Sequence, residues 1–149
     1  MANQINNYSY TGLTLTENSE GCRLTPYKDG AGVFTNGFGN TWNVNPEVTI
    51  TMDEAIADLK TNLASAEATV KNDVKVEITQ GEYNALVDFV FNLGSGNFAN
   101  STLLKKINAG DYAGAALEFP KWDHCAGQVS QGLLNRRLAE QAEFNQQGA

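Results

Sequence analysis

The chain has 149 residues, 42% of them hydrophobic, with seventeen Asp and Glu against ten Lys and Arg for a formal charge of −7. A chain of this size buries roughly two thirds of its unfolded surface, so it folds as one domain, or as two small lobes sharing a helix, without a metal or disulfide staple. No basic block is present to hold a phosphate backbone, which argues against nucleic acid as the main partner. No stretch reaches the roughly 18 apolar residues that cross a bilayer, and the opening Met1 to Thr16 is polar, unlike a signal peptide or an anchor.

In chain order, Ser9 to Glu20 reads as a helix, although Gly12, Thr14 and Thr16 count against it. Gly21 to Gly39 holds five of the fourteen glycines, with Pro26, the Asp29-Gly30 turn dipeptide and the β-favouring Tyr27, Val33, Phe34 and Phe38. That composition predicts a small antiparallel sheet with tight turns. Thr51 and Glu54 then form a capping box, followed by Ile56, Leu59, Leu63, Ala66 and Val70 at helical spacing. Thr79 and Glu82 repeat the signal before a segment that is apolar nearly all round (Tyr83, Leu86, Val87, Phe89, Val90, Phe91, Leu93). This is read as a buried helix ending at Gly94. Ser101 to Asn108, Asp111 to Phe119 and Val129 to Asn145 read as three further helices, separated by Gly110, Pro120 and Gly127.

The pattern is α+β and predominantly α: a short helix and small sheet, then a helical lobe, with a cleft expected between the lobes. Cys22 and Cys125 lie about a hundred residues apart with no Cys/His spacing around either, so a zinc site is not expected. A bridge between them and two free thiols both stay open.

Glu20, Asp29 and Thr35 are separated by eight and then five residues around the expected hairpin. Two carboxylates and a hydroxyl brought together suit hydrolysis of a glycosidic bond. One carboxyl, kept protonated by burial, donates to the leaving oxygen, while the other groups hold a water on the opposite face. Among seventeen acidic residues such spacing is common, and by itself it fits solvated carboxylates with Asp29 as a turn residue.

The whole string decides. Glu20 to Thr41, EGCRLTPYKDGAGVFTNGFGNT, resembles the phage-type lysozymes of glycoside hydrolase family 24, with Glu20-Gly21, Leu24, Tyr27, Asp29, Gly32, Thr35, Gly37 and Gly39 in register. Further along, Phe91-Asn92-Leu93-Gly94, Phe98, Asn100-Ser101-Thr102-Leu103, Trp122, Gly132-Leu133 and Arg136-Arg137 also look like the family, so the resemblance covers roughly residues 9 to 145. It implies a single lysozyme-like catalytic domain over 1–149, with a β lobe at about 21–50 and helical parts at about 1–20 and 51–149.

The implied activity is that of an endolysin-type muramidase, which cuts the β-1,4 bond between N-acetylmuramic acid and N-acetylglucosamine in peptidoglycan. Glu20 would be the general acid, with Asp29 and Thr35 positioning water and inverting the anomeric carbon. Gly37, Phe38 and Gly39 would let a sugar approach the backbone, and Asn92, Asn100 and Ser101 would bond its N-acetyl and hydroxyl groups, unless they serve as helix caps. An Arg of the last helix would pair with Glu20; Arg137 is favoured over Arg136. No cofactor and no metal are implied.

Trp122 and the Phe89 to Phe98 cluster are read as core, and His124 between Asp123 and Cys125 as a weak ligand set. The partner implied by the resemblance is the glycan strand of bacterial peptidoglycan. The protein is expected to be a monomer without membrane insertion, held in the host cytoplasm until a holin opens the membrane and then acting at the periplasm and wall.

Two departures stand out. Asn40 replaces the His that many members carry after Gly-x-Gly, so no charge-bearing imidazole is available there. The charge of −7 contrasts with basic wall lysozymes, which predicts sensitivity to salt or divalent cations. Within the same fold the rival activity is a lytic transglycosylase, in which the muramic C6 hydroxyl attacks in place of water. A silent sugar-binding derivative is the rival from another class.

Overall fold

The computed structural model describes residues 10–125 and 127–146. Two compact units emerge: residues 16–65 form the smaller, and the described parts of 1–15 and 66–149 form the larger. Helix α1 (Tyr10–Glu20) and helix α2 (Met52–Asp73) each contribute to both. Ser9, expected to open α1, lies outside the described residues, as does most of the polar opening segment.

In the smaller unit, strands β1 (Arg23–Lys28) and β2 (Phe34–Gly37) pair antiparallel, Tyr27 opposite Thr35 and Lys28 opposite Phe34. The register shifts between Arg23 and Tyr27, the interval that contains Pro26. A residue without an N–H cannot serve a regular ladder, and a bulge accommodates it. Ile50 donates its N–H to the Leu24 carbonyl, adding an extended segment to the sheet. Phe38, Ala55, Leu59 and Leu63 are the buried apolar side chains of this unit, so the amphipathic face predicted for α2 is its floor. The α2 capping box is present: Glu54 N–H donates to Thr51 Oγ1 and Thr51 N–H to Glu54 Oε1.

The larger unit is built around α3 (Gln80–Leu93), whose capping box at Thr79 and Glu82 and stop at Gly94 match the sequence pattern. Gly94 has φ 94°, a conformation only glycine adopts freely. After it come α4 (Ser95–Ala99), α5 (Thr102–Asn108), α6 (Tyr112–Ala116), strands β3 (His124–Cys125) and β4 (Gln128–Val129), and α7 (Gln131–Asn145), which packs along α3. Phe89 is the aromatic hub, edge-on to Phe98, Phe119 and Trp122, with ring centroids 5.4 to 6.1 Å away. Phe89 and Phe98 are therefore core, as the sequence suggested, whereas Trp122 and Phe91 are half-buried, Trp122 edge-on against Phe89 at the core's margin.

Three boundaries differ from expectation. The helix expected over Asp111–Phe119 stops at Ala116 and tightens into a 3-10 turn over Phe119–Lys121, because Pro120 cannot continue an α-helix. The last helix begins at Gln131 with Ser130 as its cap, not at Val129, because Val129 pairs with His124 and Gln128 with Cys125 across a hairpin in which Gly127 has φ 79°. The five-residue α4 went unpredicted, being too short to carry a period. Cys22 and Cys125 are both free thiols. Among the described residues no helix is long and apolar enough to cross a membrane.

Candidate active site

Glu20 is the last residue of α1. Gly21 ends the helix with φ 69°, returning its N–H to the Glu17 carbonyl at 2.9 Å, and so fixes where the half-buried Glu20 side chain starts. On the other side stands Gly39, φ 70°. A Cβ placed on it would come within 2.8 Å of Glu20 Oε1. The volume of one missing methyl group is therefore where the Glu20 carboxylate sits. Sequence reasoning assigned Gly39 to sugar access and missed this role.

Asp29 closes the β1–β2 turn. Its Oδ1 accepts the N–H groups of Ala31 (2.8 Å) and Val33 (2.9 Å), and its own N–H bonds to the Val33 carbonyl. Oδ2 has no hydrogen bond among the described residues. Thr35, 3% exposed, donates its hydroxyl to the Val33 carbonyl at 3.1 Å, so its oxygen lone pairs remain as acceptors. Because Asp29 pairs with Val33 and Thr35 with Tyr27, the two-residue alternation of the strands puts Asp29 and Thr35 on one face of the hairpin.

Gly37 and Phe38 also have packing roles of their own. The space a Cβ on Gly37 would need is taken by the Ala55 Cβ at 3.2 Å, so glycine there serves helix-on-strand packing. The Phe38 ring is buried core, so only its backbone is available to a ligand. Asn40, buried, is an amide hub: its Nδ2 donates to Asn36 Oδ1 and the Trp42 carbonyl, and its Oδ1 accepts from Asn62 Nδ2 and Trp42 N–H.

In the larger unit, Gln80, Asn84, Asp88 and Asn92 form a polar stripe on α3, one residue per turn, facing α7. Asn84 Nδ2 donates to Glu143 Oε2 at 2.8 Å. Asp88 takes a bidentate pair from Arg136, Nε at 2.9 Å and Nη2 at 2.8 Å, with both side chains buried. Arg137, favoured as the partner of Glu20, is 0% exposed and bonds through Nη2 to Asn92 Oδ1 (2.8 Å) and Glu140 Oε2 (2.9 Å). Its Nε stands 2.7 Å from Glu140 Oε1, off the N–H axis, as an ion contact without a directed hydrogen bond.

The buried Arg137 and Glu140 were missed as a pair, although their i, i+3 spacing was visible. Burial, followed by the hydrogen bond to Asp88 and its charge, holds the Glu140 carboxyl well above the ordinary range, against the lowering effect of the two arginines. Ser101 is spent as the α5 cap: its hydroxyl donates to the Phe98 carbonyl and accepts the Leu104 N–H. Asn100 donates its Nδ2 to the Gly96 carbonyl, leaving its Oδ1.

Other charged groups have local explanations. Lys121 and Lys106 at 2.8 and 2.9 Å hold Glu118 below the carboxylate range, against its burial. His124 pairs with Asp123 on the exposed hairpin at 2.7 Å. Burial, then the nearby Glu17, raises the Cys22 thiol.

Comparison with known proteins gives a consistent picture. The family described as phage lysozyme matches residues 17–140. The chain is 42% identical over 140 residues to an endolysin of Acyrthosiphon pisum secondary endosymbiont phage 1, covering 91% of this chain and 96% of that one. It is 40% identical to the SAR-endolysin of Escherichia phage Mu over 87% of this chain and 76% of that one. It spans about half, 54%, of the endolysin of Bacillus phage PZA. Among solved structures, a P22 lysozyme mutant superposes with a TM-score of 0.88 at 33% identity, covering 95% of this chain and 100% of that one.

Proposed function

The chain belongs to the phage lysozyme family and is a glycoside hydrolase, and we propose that it hydrolyses the β-1,4 bond between N-acetylmuramic acid and N-acetylglucosamine with Glu20 as general acid. Glu20 gives its proton to the glycosidic oxygen as the bond breaks. A water donates one hydrogen to Asp29 Oδ2, which takes the proton as base, and its other hydrogen to Thr35 Oγ1. Attack from the face opposite the leaving group inverts the anomeric carbon and leaves a reducing muramic acid end.

The observation that carries this reading is the pair of unspent acceptors on one hairpin face. Backbone amides hold Asp29 by one oxygen and leave the other, while Thr35 has already given away its only proton. Two fixed acceptors match the two hydrogens of one water. The ordering entropy of that water is then largely settled by the fold.

Substrate contacts are proposed for the backbone at Gly37, Phe38 and Gly39, for Asn92 and Asn100 through the amide atoms their local bonds leave over, and for Ser101 and Arg137 as supports of those segments. One catalytic domain working as a monomer on peptidoglycan strands, and reaching them after a holin opens the host membrane, completes the proposal. Glu20→Gln tests it: clearing of purified walls should fall to near background while circular dichroism and thermal unfolding stay at parent values. Clearing at the parent rate overturns the acid assignment.

A further inference from the structure

The smaller unit holds a second feature that hydrolysis does not use. A cavity of about 380 Å³ opens among Asn36, Asn43, Asn45, Ile50, Glu54 and Asp58. Strand alternation puts Asn36 on the face of β2 opposite Thr35, so this cavity does not share the hairpin face of the proposed water site. Asn36 is 4% exposed. Its Oδ1 accepts from Asn40, but its Nδ2 has no hydrogen-bond partner among the described residues, although it lies on the cavity wall. An amide donor left open at a cavity wall is available to a ligand acceptor in place of water. The Asp58 carboxylate, on the same wall, likewise has no hydrogen bond among the described residues.

Next to the wall residue Asn43 stands Trp42. Its indole is 72% exposed, yet its backbone is fastened on both sides by the Asn40 amide, which Asn62 holds in turn. Three hydrogen bonds spent on mounting a ring that is not buried describe a platform more than a loop tip. An exposed indole one residue along the chain from a cavity wall of amides and carboxylates offers a pyranose a ring for its C–H face, and the wall offers partners for its hydroxyls and acetamido group.

We propose that this cavity and Trp42 form a second, non-catalytic binding site for an N-acetylglucosamine unit of the glycan. Muramic acid is disfavoured there, because the stem peptide on its lactyl group, with its own carboxylates, would face Glu54 and Asp58. The inference rests on the proposed glycan substrate and extends it: a chain at −7 that gains no overall attraction to an anionic wall gains a second grip on the strand.

The test uses the ¹⁵N-labelled Glu20→Gln protein titrated with chitotriose. The Trp42 indole and the Asn36 and Asn43 side-chain amides should shift in a saturable way. Trp42→Ala should weaken that binding roughly two- to tenfold and raise the KM for insoluble walls, leaving kcat on short soluble oligomers at the parent value. Shifts confined to Thr35 and Gly39 amides would overturn the second site while leaving the catalytic reading intact. Movement of the Asn36 and Asn43 signals by calcium and not by sugar would overturn it in favour of a cation site. Wall clearing by Glu20→Gln at the parent rate would instead sink the catalytic reading, and the Trp42 and Asn36 signals would judge the second site separately.

Discussion

Replacing Gly39 by alanine puts the proposed acid to a quantitative test. The added Cβ would lie 2.8 Å from Glu20 Oε1, whereas ordinary contact begins at 3.4 Å, so the carboxylate must retreat by about 0.6 Å or rotate away. A misplacement of about 1 Å at a reacting group costs on the order of a hundredfold in rate, so a loss of roughly ten- to a hundredfold in wall clearing is expected. The φ of 70° adds about 1–2 kcal/mol of left-handed strain, which in a chain of this length lowers Tm by roughly 3–8 °C. Gly30→Ala is the matched control: nothing lies within 4 Å of its Cβ and its φ is not positive, so rate and Tm should both stay at parent values. Initial clearing rates beside calorimetric Tm separate the two effects. A folded Gly39→Ala protein that clears walls within twofold of the parent would refute the idea that Gly39 makes room for a working Glu20.

The buried polar stripe yields three further expectations. Asp88→Asn strips the buried Arg136 of the charge on the fully buried Asp88 and should cost about 3–5 kcal/mol in denaturant unfolding; a loss below 1 kcal/mol would mean that Arg136 finds another acceptor. Glu140, raised in the folded state, binds its proton there more tightly than in the unfolded chain. Its contribution is complete below the ordinary carboxyl value of 4.5 and is lost as pH climbs from there towards the folded value, so stability should decline over that range, and Glu140→Gln should flatten the decline. A decline equally steep in the variant would point to another group. Thr79→Ala removes the α3 cap and should cost about 1 kcal/mol by the same unfolding measurement; an unchanged midpoint would show that the Glu82 half of the box suffices.

Much of the scaffold could be read without coordinates where local chemistry and tertiary packing agree. Thr51 with Glu54, Thr79 with Glu82, and Gly94 carry their structural meaning in their own side chains or in the lack of one, so those boundaries held. The missed elements are short: α4 and the β3–β4 hairpin span too few residues to show a period, and Pro120 shortened α6 by a turn.

At the candidate site, the sequence pointed to Asp29 as a turn residue and a chemical one, and the hairpin uses it as the first while leaving an oxygen for the second. What spacing could not convey was burial. Gln80, Asn84, Asp88 and Asn92 recur every fourth residue within an otherwise apolar helix, and that stripe was the available signal for a buried partner on α7. Arg137 was read as pairing with Glu20, and its contact with Glu140, three residues on, was visible in the same spacing but went unread. The Gly39 contact with Glu20 was out of reach, since it joins residues from a helix end and a strand end whose meeting only the fold determines.

Hydrolysis itself is tested most directly by digesting purified peptidoglycan in ¹⁸O-water and weighing the fragments. Water held by Asp29 and Thr35 predicts reducing muramic acid ends that carry the heavy oxygen, and Glu20→Gln should release none. Anhydro-muramic ends without label would keep Glu20 as the acid but contradict a water at Asp29 and Thr35, and a digest with no fragments at all would contradict the enzyme.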